Sequence, residues 1–142
     1  GQLTSNHGWN TVEHRDFLKD TISLFQSHGI RVSIFVDPIP EMIEGAKATG
    51  TNRTELYTES YAVAYAAGKK EDGISPFILA ANKATELDLE INAGHDLDLH
   101  NLSYFAKNIP GLKEVSIGHA LVCDAIIYGM ENTVSMYKRQ LT

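Results

Sequence analysis

Cysteine is nearly absent. Cys123 is the only one among 142 residues, which excludes an internal disulfide framework and a zinc site built on thiolates. Long apolar runs are missing as well: none approaches the roughly 20 residues that span a bilayer. Positive charge is scarce, with 12 Lys and Arg against 18 Asp and Glu and a formal net charge of −6. A nucleic-acid surface needs clustered Lys and Arg to displace counterions, so nucleic acid is not an expected partner, and neither is a membrane. Phosphate-bearing small molecules stay open, because a few backbone N–H groups and one His can hold a phosphate. The opening Gly1-Gln2-Leu3-Thr4 has neither the basic nor the apolar region of a secretory signal. No repeat at a solenoid period and no low-complexity tract is present. These absences lead to the expectation of a soluble, cytoplasmic domain.

What the chain does contain is alternation. Four β-rich runs stand out: Arg31 to Val36, Arg53 to Tyr57, Leu89 to Ala93 and Glu114 to Ile117. The first is almost continuously apolar, as in a strand buried on both faces of a parallel sheet. The other three carry a polar residue at or near the C-terminal end. Helical patterns fill the gaps. Asn10 and Glu13 have capping-box spacing, Phe17, Leu18, Ile22 and Phe25 follow on one apolar face, and Gly29 stands where a helix would stop. Pro40 reads as a first-turn proline, with Met42, Ile43 and Ala46 as the buried face up to Gly50. Ile74 to Glu86 is another helix, Asp124 to Leu141 contains at least one more, and Ala66 to Ser75 reads as a surface loop or small insertion.

Alternating strands and helices imply a parallel sheet joined by helical crossovers. No glycine-rich dinucleotide fingerprint follows any strand, which weighs against an open doubly wound sheet. A closed eight-stranded barrel needs twice the strands present. The loop-like Thr4-Ser5-Asn6-His7-Gly8 opening, with no strand before it, fits a chain that lacks the other half.

Chemistry concentrates at the strand ends. Gly94 and His95 follow the third strand, where a barrel builds its active site, and a histidine exchanges protons near neutral pH. The plain alternative is a turn glycine and an exposed histidine. Gly118 and His119 repeat the pattern after the fourth strand, where barrels bind phosphate with backbone N–H groups and a short helix N-terminus. There the alternative is an ordinary βα turn. Glu55 is a carboxylate within a buried strand, a costly placement unless it is paired with a Lys or Arg or used in chemistry. Asp37 reads as a cap for the next helix. His95, Asp96, Asp98 and His100 have the residue types of a metal site, but alternating carboxylates after a strand more often cap a helix, so no metal is expected. His7, His14 and His28 read as solvent-facing, and Cys123 as a packing residue.

At these residues the sequence resembles the pyridoxine 5′-phosphate synthase family. The resemblance runs over essentially the whole chain. Its carriers are Leu3-Thr4-Ser5, the stretch from Gly29 to Asp37, Thr54-Glu55-Leu56-Tyr57-Thr58 with Tyr61-Ala62, Ile91-Asn92-Ala93-Gly94-His95, and Ser116-Ile117-Gly118-His119-Ala120. The resemblance implies an α/β fold, a (β/α)₈ TIM barrel of which residues 1–142 would be the C-terminal half, roughly strands 5 to 8. It implies condensation of 1-deoxy-D-xylulose 5-phosphate with 3-amino-2-oxopropyl phosphate, in vitamin B6 biosynthesis, by a homo-oligomer that needs no cofactor. By the same resemblance His95 donates a proton and Glu55 stabilises the transition state. Thr4 and the position of Asp96 bind substrate, and Gly118 with His119 binds the aminoketone phosphate.

Three positions depart from the family's usual pattern. Asp96 replaces a glycine, and a carboxylate beside a phosphate is repulsive unless it turns away. Tyr57 and Glu59 replace a histidine and a glycine. The resemblance also implies that further catalytic and phosphate-binding groups belong to an N-terminal half, so these 142 residues alone are expected to be inactive. Two other functions remain: a different phosphosugar-handling barrel enzyme, or a non-catalytic half-barrel that binds phosphate.

Overall fold

Strand residues of one parity lie buried under helices, and those of the other parity include the charged Arg53, Glu55, Glu90 and Glu114; this division organises the chain. In the computed structural model, which describes residues 5–142, β1 (Ser33–Val36), β2 (Arg53–Tyr57), β3 (Glu90–Gly94) and β4 (Leu112–Ser116) form one sheet. Its order is β1-β2-β3-β4 and every pairing is parallel. Helix α1 (Arg15–Ser27) precedes the sheet. Helix α2 (Pro40–Ala48) joins β1 to β2, α3 (Glu59–Ala66) and α4 (Lys70–Glu86) join β2 to β3, and α5 (Leu102–Asn108) joins β3 to β4. Helices α6 (His119–Tyr128) and α7 (Met130–Arg139) follow. No helix among the described residues is long and apolar enough to cross a membrane.

The four expected strands are present, with β1 and β4 displaced by up to two residues and β3 by one. β1 starts at Ser33 because the Val32 N–H is taken by the Asn52 side chain. β4 starts at Leu112, opposite a register irregularity between Ile91 and Asn92. Ile34, Val36, Leu56, Ile91 and Ala93 face the helices and are buried beneath Ile43, Ala46, Phe77, Ala80 and Phe105. Tyr61, Phe77 and Phe105 pack ring to ring, with centroids 5.0 to 6.1 Å apart, an arrangement that favours edge-on contacts.

Several local expectations are corrected. Ala66 to Ser75 is mostly helix: α3 stops at Ala66 and α4 begins at Lys70, with Gly73 inside it where α4 passes close to Ala64. Only the forward half of the Asn10 capping box is seen: Asn10 Oδ1 accepts from the Val12 and Glu13 N–H groups, while the Glu13 carboxylate accepts from Asn10 Nδ2, and the turn they close lies ahead of α1. Leu18 and Ile22 are buried on α1, whereas Phe17 and Phe25 are exposed. Asp37 does not cap α2; its carboxylate accepts from the Gly8 N–H at 3.3 Å, and Ile39 holds the cap position. Cys123 is exposed, not packed. It lies on α6, no residue of which is buried: Val122, Ile126 and Ile127 are 52, 82 and 73% exposed.

The charged parity has its own order. At the N-terminal ends of the strands Arg53, with a side chain only 10% exposed, is held between Glu90 and Glu114, and Arg31 reaches Glu114 at 3.2 Å. Arg53 donates from Nε to Glu90, while its Nη1 lies 2.6 Å from Glu114 Oε1 but off the hydrogen-bond axis. A buried guanidinium is tolerable only when paired in this way. Arg53 in turn holds the Glu90 and Glu114 carboxylates below their ordinary range.

Two outcomes follow. Phe105→Ala should cost about 3–5 kcal/mol through loss of contacts and the cavity left behind, read as a lowered urea midpoint. The depressed carboxylates contribute stability that is present above the ordinary glutamate range and lost as pH falls through and below it, from about pH 5 downward. Arg53→Met should flatten that acid limb relative to its own neutral value, as followed by urea midpoints across the pH series.

Candidate active site

Parallel strands deliver all their C-terminal ends to one side, so residues at the ends of β2, β3 and β4 become neighbours. Register places Glu55 beside Asn92, Tyr57 beside Gly94, and Gly94 beside Ser116. Glu55 is half-buried, and its Oε2 accepts from Asn92 Nδ2 at 3.2 Å and from Ser116 Oγ at 3.0 Å. Neither donor is a cation, so the expected alternative of a salt bridge to Lys or Arg does not describe this carboxylate among the described residues. Gly94 makes the arrangement possible: a Cβ there would overlap the Ser116 carbonyl oxygen and fall 2.9 Å from Glu55 Oε1.

His95 follows with φ at 102°, a region L-residues rarely occupy. The conformation is pinned from several directions. Thr58 donates its N–H and its hydroxyl to the Gly94 carbonyl at 3.2 and 2.7 Å, and the same hydroxyl oxygen accepts the Asp96 N–H at 3.3 Å. Asn101 Nδ2 donates to the Asp96 carbonyl, and the His95 N–H donates to the Ser116 carbonyl.

The His95 ring meets the edge of Tyr57 at 5.2 Å and nearly perpendicular, with Phe35 beyond at 6.3 Å. Its Nδ1 lies 2.7 Å from Asp96 Oδ2. The Tyr57 hydroxyl donates to Glu59 Oε2 at 2.7 Å. Burial first, and Glu59 second, push the Tyr57 hydroxyl up to about 12. Asp96, Tyr57 and Glu59, the three departures noted in the sequence, are thus connected around one imidazole.

Two open cavities adjoin here. One of about 870 Å³ is lined by Glu55, His95, Asp96, Ser116, Gly118 and His119, among others. The second, of about 650 Å³, is lined by His7, Trp9, His14, Phe35, Glu55 and His95, among others. Glu55 and His95 belong to both. Gly118 is the N-cap of α6, and Gly118, His119 and Ala120 at the start of that helix line the first cavity. Such a terminus favours anions.

Five of the six residues singled out in the sequence, Glu55, His95, Asp96, Gly118 and His119, therefore share one cavity. Thr4 lies outside the described residues. Asp98 lines the cavity too, but its Oδ1 accepts from the His100 and Asn101 N–H groups, the capping use expected of it. Among the described residues no group of three or more His, Cys, Asp or Glu is placed to hold a metal ion. His7 and His14 are exposed as expected, yet they line the second cavity. Asn92, Ser116, Tyr57 and Phe35 were not singled out as site residues. Their signal is parity: each faces the same side of the sheet as Glu55, Tyr57 two residues along the strand, Phe35 and Asn92 one register step away, and Ser116 two strands over and two residues further on.

The PdxJ family, described as pyridoxal phosphate biosynthesis protein PdxJ, matches residues 1–142. The chain is 56% identical over 141 residues to a pyridoxine 5′-phosphate synthase of Flavobacterium johnsoniae, covering 99% of this chain and 59% of that protein. It is 57% identical over 139 residues to the corresponding synthase of Cytophaga hutchinsonii, covering 98% and 58%. With the synthase of Bacteroides thetaiotaomicron the identity is 51% over 140 residues, covering 99% and 59%. The chain spans less than two thirds of the length of these curated relatives. A match over every residue, with the strand-end Gly-His turns set in a parallel sheet, makes this chain a member of the PdxJ family.

Proposed function

We propose that this chain is the C-terminal half of a single (β/α)₈-barrel domain, contributing roughly strands 5 to 8 of a pyridoxine 5′-phosphate synthase. The enzyme would condense 1-deoxy-D-xylulose 5-phosphate with 3-amino-2-oxopropyl phosphate to give pyridoxine 5′-phosphate, phosphate and water, working as a cytoplasmic homo-oligomer. One observation carries this reading: two adjoining cavities at the strand ends share Glu55 and His95 as their common wall. A two-substrate condensation needs its proton-transfer and charge-stabilising groups between the two partners.

In this reading His95 gives a proton to the reacting oxygen, and the Glu55 carboxylate stabilises cationic character in the intermediate. The amide groups at the start of α6, with Gly118 and His119, hold the aminoketone phosphate. Thr4 binds substrate. Asp96 borders the substrate space, and with its carboxylate turned onto His95 it is not aimed at a phosphate. No Lys or Arg lines either cavity among the described residues, which agrees with cationic phosphate ligands coming from the other half of the barrel. The barrel reading is supported by four parallel strands in consecutive order.

Residues 1–142 produced alone should form no pyridoxine 5′-phosphate from the two substrates. Joined behind the N-terminal part of the Flavobacterium johnsoniae relative, they should form it. In that joined protein His95→Gln and Glu55→Gln should each lower kcat by about 10²- to 10⁴-fold. Product formed by the 142 residues alone, or a folded hybrid without activity, would count against the proposal.

A further inference from the structure

A histidine that passes protons must present one chosen nitrogen, and an imidazole by itself offers two. We propose that Asp96 is a positioning residue for His95: its carboxylate accepts a hydrogen bond from Nδ1–H and so makes Nε2 the nitrogen through which the ring exchanges protons with substrate. This rests on the proton-transfer reading of His95 given above.

The geometry supplies each step. Asp96 Oδ2 lies 2.7 Å from His95 Nδ1, the length of a charge-assisted N–H···O bond. An ionised carboxylate offers acceptors only, so the shared hydrogen belongs to the imidazole. The backbone between the two side chains is unusual as well, with φ at 102° on His95.

The Asp96 main chain is fixed independently of its carboxylate, by Thr58 Oγ1 on its N–H and by Asn101 Nδ2 on its carbonyl. The acceptor is therefore held in place before any substrate arrives. Tyr57 closes the side of the ring edge-on at 5.2 Å, and Glu59 anchors the Tyr57 hydroxyl. A ring flip would give up the Asp96 bond and break the packing on Tyr57. Second partners of this kind commonly change activity by about 10- to 100-fold, because they set the tautomer and orientation of the histidine.

The test is made on the full-length enzyme labelled with ¹⁵N-histidine, the His95 signals being assigned by their loss in His95→Gln. In the unsubstituted protein the neutral ring should show a protonated Nδ1 and a bare Nε2. In Asp96→Ala it should revert to the Nε2–H form or to a mixture. Asp96→Ala should also lower kcat about 10- to 100-fold with KM changed by less than about threefold, and should leave the urea midpoint nearly unchanged, since the main-chain bonds remain. An Nε2–H ring in the unsubstituted protein would overturn the positioning role whatever the activity. A ring of the expected tautomer in an enzyme that His95→Gln leaves fully active would instead overturn the proton-transfer reading and leave the tautomer assignment standing.

Discussion

Thr58 is a small buried residue at the point where β2 ends, and the geometry of the site hangs on its hydroxyl. That oxygen donates to the carbonyl of Gly94 and accepts from the amide of Asp96, so it bridges both sides of the residue between them. His95 is thereby kept in a backbone conformation that costs of order 1–3 kcal/mol and persists only when its surroundings over-determine it. A methyl in place of the hydroxyl would remove both bonds together. The imidazole, the carboxylate beside it and the approach of Glu55 over Gly94 all depend on this link between neighbouring strand ends.

The sequence disclosed some of this more readily than the rest. Glu55, His95, Gly118 and His119 were legible because each follows or interrupts a buried run at a strand end, where a polar residue has no packing role. Asn92 and Ser116 were not, because their part depends on which strands are neighbours. Only the parallel register turns their parity into contact with Glu55. The wall formed by His7, Trp9 and His14 was hidden for a similar reason. It rests on the Trp9 N–H donating to the Phe35 carbonyl, a tertiary bond that leaves no periodic trace.

Helix assignment failed where amphipathicity was weak or misleading. Helix α3, Glu-Ser-Tyr-Ala-Val-Ala-Tyr-Ala, has no polar stripe and buries only Tyr61, so its sequence gave no period to read. Helix α6 misled in another way, since Cys123 read as a packing residue and is exposed. Among the described residues it packs chiefly on α7, with Tyr137 of α7 donating to Asp124 of α6 at 2.7 Å. Leu121 reaches the core, while Val122, Ile126 and Ile127 face outward.

The charge ladder of Arg31, Glu114, Arg53 and Glu90 occupies the N-terminal ends of the strands, while the histidines and Glu55 occupy the opposite ends. Each strand is thus a lever with its fulcrum at one end and its tool at the other. Tyr57, Glu59 and Asp96 all sit at the working end, clear of the ion pairs that tie the strands together. The neighbours of the imidazole can therefore be exchanged without touching either the histidine or the ion pairs of its scaffold.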